Sequence, residues 1–206
     1  MRSVFSVRLV VAVAATVVAV IATTELLAPP PRASFGPRSV VTLADAVDRT
    51  IAGGSARLRG TATSADGTSV ELEGVTSFTS ADAVLFARNG GDEAAIEVRT
   101  TAAGSWLRAP SLGRWIPLEA TSDVAPGTNG GWADVLARLR RAPASRRSGR
   151  RFEVVVEGEP AVAYLDGNGR IRRLRLERRQ QVVDVTFSDF GVAVDVEPPE
   201  DVLAEP

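Results

Sequence analysis

The sequence predicts an α+β, β-dominated domain: a large curved antiparallel sheet with two principal helices covering its open side. Three observations predict it. From residue 55 onward, short alternating segments are separated at regular intervals by Gly, Asp, Asn and Pro turn residues. Two stretches, 42–52 and 131–141, carry the apolar period of an amphipathic helix. The segment 39–199, between a Pro-rich stretch and Pro198-Pro199, has the length of one ordinary domain.

The first helix opens with Thr42 and, three residues on, Asp45, the spacing of a capping box. Leu43, Ala46, Val47, Thr50 and Ile51 share one face, and Gly53-Gly54 ends the helix. Strands are then expected over 56–63 and 69–78, with Val70, Leu72 and Phe78 on one side and Glu71 and Glu73 on the other. Residues 83–88 and 94–101 form a hairpin around Asn89-Gly90-Gly91-Asp92, and 105–109 and 115–119 another around 110–113. A loop rich in Gly, Pro, Ser and Thr, 120–131, leads into the second helix. There Trp132, Val135, Leu136 and Leu139 form the apolar stripe and Pro143 ends the element. A basic loop is expected at 144–150. Strands follow over 151–158, 161–165, 170–179, 182–189 and 192–196, with Asp166-Gly167-Asn168-Gly169 as a hairpin turn. An acidic tail, 200–206, is expected to fray.

Ahead of the domain, Arg2 and Arg8 precede an uncharged, almost wholly apolar run, 9–24, that Glu25 ends. A positive head followed by an apolar run is what the secretory machinery reads. Residues 1–28 are therefore a signal peptide or an N-terminal membrane anchor. The run suits a cleaved peptide in length and is short against the ~20 residues that span a bilayer. Residues 29–38, with Pro29-Pro30-Pro31 and Pro37, are a stiff linker. The expected location is extracytoplasmic, either tethered to the cytoplasmic membrane or released into the cell envelope.

Composition excludes much chemistry. All 24 basic residues are Arg, and the chain has no His, Lys or Cys. The usual transition-metal ligands are missing, and no Ser-His, Cys-His or Lys-based nucleophile can be built. No metal, cofactor or catalytic residue is expected. Without Cys there is neither a disulfide nor an acylated cysteine. Residues 138–179 hold 13 Arg against 5 acids, while 180–206 hold 7 acids and no Arg. The basic stretch suits anionic head groups or acidic polymers, although strand faces wetted by paired charges explain it more simply. Nucleic acid is not expected, because no aromatic residue interrupts the Arg runs to stack a base.

Gly53-Gly54 and Gly90-Gly91 do not sit between a strand and a helix, as a phosphate cradle requires. Asp166-Gly167-Asn168-Gly169 lacks the further ligands and closing Glu of a calcium loop. Trp106 and Trp115 lie on consecutive strands, which suits packing within the sheet or the rim of a pocket.

The order of elements, the pair Ser105-Trp106-Leu107-Arg108 and Gly113-Arg114-Trp115-Ile116-Pro117-Leu118, and the ending Phe187-Ser188-Asp189-Phe190-Gly191, Val194-Asp195-Val196 and Pro198-Pro199 carry a resemblance. Over about residues 40–200 the chain resembles actinobacterial envelope lipoproteins of the LppX/LprG type, with the LolA-like half-barrel. It departs from them in lacking the lipidated cysteine. The resemblance implies a cavity between sheet and helices that takes acyl chains, with transport of lipid or lipoprotein across the envelope as the role. It also implies an alternative, a membrane-anchored sensory or protein-interaction domain of the same fold without a ligand cavity. The expected protein is non-enzymatic. Its partners are a lipid or acyl-chain ligand, the cytoplasmic membrane through the N-terminal segment, and in the alternative an envelope protein. Leu72, Phe78, Ile96, Val98, Trp106, Leu136 and Val154, chosen by strand or helix face, are the expected lipid-binding residues.

Overall fold

A computed structural model describes residues 41–89, 95–111, 113–118, 131–178 and 181–202. The export segment 1–28, the linker 29–38, the turn residues 90–92, the loop 120–130 and residues 203–206 lie outside the described residues. The described chain runs α1 (Leu43–Ile51), β1 (Ser55–Ser64), β2 (Ser69–Ser77), β3 (Ala83–Arg88), β4 (Ile96–Thr101), β5 (Gly104–Arg108), β6 (Ile116–Pro117), α2 (Gly131–Arg141), β7 (Ala144–Ser148), β8 (Arg151–Val156), β9 (Glu159–Leu165), β10 (Ile171–Arg178) and β11 (Gln181–Ser188). All eleven strands join one antiparallel sheet in the order β6-β5-β4-β3-β2-β1-β11-β10-β9-β8-β7. Two meanders are thus joined by the pairing of the first strand with the last.

Alternation along each strand sorts the side chains between two faces. One register row on the inner face reads Phe152, Ala163, Leu174, Val185, Gly60, Leu72, Ala87 and Ile96. The neighbouring outer-face row reads Arg151, Tyr164, Arg173, Thr186, Arg59, Glu73, Phe86, Glu97 and Arg108. Apolar residues line one side, and charged residues dominate the other.

Two inner-face glycines let neighbouring backbone in. A Cβ on Gly60 would stand 2.1 Å from the Asp184 carbonyl oxygen, and one on Gly74 would stand 2.0 Å from that of Val84. Side chains cannot be accommodated at those separations, so glycine permits the close approach.

The helices close the inner side. Thr42 accepts from the Asp45 amide, and the Asp45 carboxylate accepts from the Thr42 amide, which completes the expected capping box of α1. Leu43, Ala46, Val47 and Thr50 of α1 are buried, as are Trp132, Val135, Leu136 and Leu139 of α2. Thr50 ties α1 to the sheet: its hydroxyl donates to the Ala46 carbonyl at 2.7 Å and accepts from the Ile171 amide at 2.8 Å. Arg140 of α2 reaches Asp48 of α1 at 2.9 Å.

Several local expectations are corrected. Residues 144–150 are not a loop; they supply edge strand β7, which pairs with β8 through a bulge between Ala144 and Arg146. The expected strand 151–158 stops at Val156, because Glu157 and Gly158 both take positive φ (52° and 86°). They make the two-residue hairpin turn into β9. The strand expected at 192–196 pairs with no other strand. That segment begins a strap, fixed at one end by the Ser55 hydroxyl donating to the Val192 carbonyl. Its far end does not fray at Asp201 and Val202. The Trp115 amide donates to the Asp201 carbonyl at 3.2 Å, and Trp115 bridges to Val202.

Candidate functional site

The concave face is the feature on which function can be built. Leu72 and Ile96 share its central row, Val98 belongs to the adjoining row beside Leu85 and Leu107, and Val154 lies on the far half opposite Ala161. Leu136, fully buried, faces them from α2, and Phe78 closes one end of the same apolar cluster. Six of the seven residues expected to bind lipid are therefore brought to one apolar cluster. Trp106 is not: by alternation it belongs with Arg108 to the outer face of β5, and it is half-buried there.

Aromatic rings the sequence did not single out as lining anchor α2. Trp132, at its N-terminal turn, meets Phe187 of β11 edge-on, with 5.3 Å between centroids. Phe187 meets Phe78 edge-on at 5.5 Å. Phe187 shares the face of Val183 and Val185, so strict alternation along β11 was the signal that could have found it.

The buried polar side chains of the face include the hydroxyls of Thr76, Thr100 and Ser105, which share one row toward its end, and the amide of Gln181. The buried ionisable residue among those described is Glu97, which lies on the outer row and is paired with Arg99 at 2.9 Å and Arg108 at 2.5 Å. Two buried polar groups within the covered side have no hydrogen-bond partner: the Trp132 Nε1–H and the Gln181 side-chain amide. Such groups are costly unless something supplies a partner.

The polar ties of α2 sit at its rim. Arg138 pairs with Asp134 at 2.6 Å and with Glu157 of the β8–β9 turn at 2.7 Å. Burial disfavours the Arg138 cation, but the two carboxylates more than compensate and hold its pKa above the ordinary value. Beside this ion pair a cleft of about 20 Å³ opens between α2 and the strands, lined by Val135, Val156, Pro160, Ala161, Leu176 and neighbouring charged residues. That is room for about one water molecule, whereas ligand pockets run to about 300–1,000 Å³. The covered side is closed in this structure.

No helix among the described residues is long and apolar enough to cross a membrane, and no cluster of acidic residues among them could hold a metal ion.

A single curved antiparallel sheet with two helices on its concave side is the architecture of a LolA-like half-barrel. No family model matches the chain, and no curated protein matches it. Solved structures do. LprF from Mycobacterium bovis is similar over 76% of this chain and 94% of its own, at 15% identity and a TM-score of 0.45. The lipoprotein LppX from Mycobacterium tuberculosis is similar over 75% of this chain and 98% of its own, at 13% identity and a TM-score of 0.46. The type of protein that the residue pattern resembles thus appears among the similar solved structures.

Proposed function

We propose that this chain is an exported, non-enzymatic envelope protein that takes an acyl-bearing ligand between α2 and the concave face of the sheet. One observation carries the reading. A largely apolar face spans the sheet and is covered by an amphipathic helix whose ion pairs, Arg138 with Glu157 and Arg140 with Asp48, lie along its flank. The backbone hydrogen bonding of the sheet is complete without α2, so the helix can lift while the ladder stays paired. Leu72, Ile96, Val98 and Val154 would then meet the acyl chain from the sheet, and Leu136 from the helix. The unpaired Trp132 Nε1–H and Gln181 amide are the polar groups available to an ester, amide or carboxyl oxygen. Export by the N-terminal segment is part of the same reading, as is transport of the bound lipid.

The closed state of the site favours a second reading, in which the same domain is solid and serves a protein partner at the membrane. Substitution of Leu136 by Asp separates the two. A charge there faces apolar surroundings, where an unpaired group costs several kcal/mol. If α2 is a cover over a ligand space, the sheet stays folded and uptake of a fluorescent fatty acid falls. If α2 is part of a solid core, the domain unfolds, since loss of a buried Leu alone costs about 2–5 kcal/mol. Melting and fatty-acid uptake are measured on the same sample.

A further inference from the structure

Residues 141–151 contain five Arg and no acid. They end α2, form edge strand β7 and turn into β8. Arg141, Arg146, Arg147 and Arg150 are all exposed, and Arg172, at the bulge of β10, is exposed on the same half of the sheet. Nearby acids are already engaged: Glu153 with Arg151, Asp166 with Arg170, and Glu157 with Arg138. Among the described residues no carboxylate pairs with Arg141, Arg146, Arg150 or Arg172; Arg147 stacks over Phe152 and donates to the Gly149 carbonyl. Among the described residues, ion pairs therefore do not neutralise this charge. The acidic strap ends on the opposite edge of the sheet, where Asp201 meets Trp115.

We propose that this β7 edge docks on an anionic phospholipid surface. One observation, together with the anchor reading of the N-terminal run, favours a bilayer over a soluble acidic polymer. Val155, 47% exposed on β8 beside this edge, is the exposed large apolar side chain among the described residues. A basic surface with an adjoining apolar contact suits the bilayer interface. On the anchor reading of the N-terminal run, residues 29–42 tether the domain within about 50 Å of the membrane, at no more than ~3.6 Å per residue. The cleft beside α2 is lined by Val156 and Pro160 of the β8–β9 hairpin that also carries Val155.

The inference rests on the proposed function for the compartment alone, and acyl uptake is read separately. The test partitions the full chain onto vesicles of pure phosphatidylcholine and of phosphatidylcholine with about 30% phosphatidylglycerol. The N-terminal run contributes alike in every variant, so the readout is the anionic-to-neutral ratio of partition coefficients. The parent should give a ratio of about tenfold or more at 0.1 M salt that collapses in 0.5 M salt, as expected for about fivefold per engaged Arg. Arg146→Gln with Arg150→Gln should bring the ratio close to one with melting unchanged, because both side chains are exposed. Arg88→Gln with Arg114→Gln, which removes the same charge elsewhere, should leave it intact. A parent ratio of one, or equal losses in both double variants, overturns the proposal. Tighter binding to polyphosphate than to the anionic vesicles at equal charge concentration also overturns it, by assigning the edge to a soluble polymer. Loss of fatty-acid uptake with the vesicle ratio preserved sinks the cavity reading and leaves the docking edge standing.

Discussion

The indole of Trp132 stands edge-on to the ring of Phe187, 5.3 Å away at 83°. This contact fixes where α2 begins relative to the strand that joins the two halves of the sheet. Truncating Trp132 to Ala should destabilise the domain by about 3–5 kcal/mol. Trp132→Phe should be far milder, because it keeps most of the packing and removes an indole N–H that has no partner. Chemical denaturation of the two variants checks the contrast.

Thr50 is the polar link between α1 and β10. Thr50→Val keeps the shape and strands the Ile171 amide, so stability should drop by about 1–3 kcal/mol. Thr50→Ser should recover most of it. Valine as stable as the parent would show that the 2.8 Å contact contributes nothing.

Gly60→Ala should be poorly tolerated although Ala is small and the position lies on an apolar face. Its Cβ would fall 2.1 Å from the Asp184 carbonyl, which belongs to backbone and cannot rotate away. A loss of about 1–3 kcal/mol or more is expected, as for forced overpacking. Equilibrium unfolding, with a changed near-ultraviolet circular dichroism spectrum, reports both the loss and the altered packing.

The domain should lose stability in acid partly through Asp166. Burial alone would raise its pKa, but the Arg170 amide, the Arg170 guanidinium and the Asn168 amide outweigh it and hold it below the ordinary carboxylate value. A carboxyl whose folded pKa is depressed contributes stability that is complete above its unfolded pKa of about 3.9. That contribution disappears as pH falls through the folded value. Asp166→Asn should therefore lower stability at pH 7 and flatten its decline below about pH 4. Parallel melting curves of parent and variant from pH 7 to pH 2.5 would contradict this.

Most of the strand pattern was legible because inner positions such as Val70, Leu72, Leu174, Leu176, Val183 and Val185 alternate strictly with outer ones. Both helices were legible from their periodicity, and α1 also from Thr42 and Asp45. β7 was hidden because Ser145, Arg146, Arg147 and Ser148 carry no apolar alternation; an edge strand exposed to water needs none. The strap was misread for the opposite reason. Val192, Val194 and Val196 alternate like a strand yet pair with none, and the far anchor is backbone bonding at Trp115, which side-chain identity does not encode. The face of Trp106 is not legible from the short strand β5 alone: its register beside Arg99 and Pro117 sets its side.

The proposed function requires an acyl ligand in the space between α2 and the sheet. Mass spectrometry of the protein purified from its native host, first intact under native conditions and then after organic extraction, tests it most directly. About one acyl-bearing lipid per chain is expected, lost in Leu136→Asp while the sheet remains folded. A parent protein free of lipid that also fails to take up added fatty acid would contradict it and leave the solid, partner-binding domain as the reading.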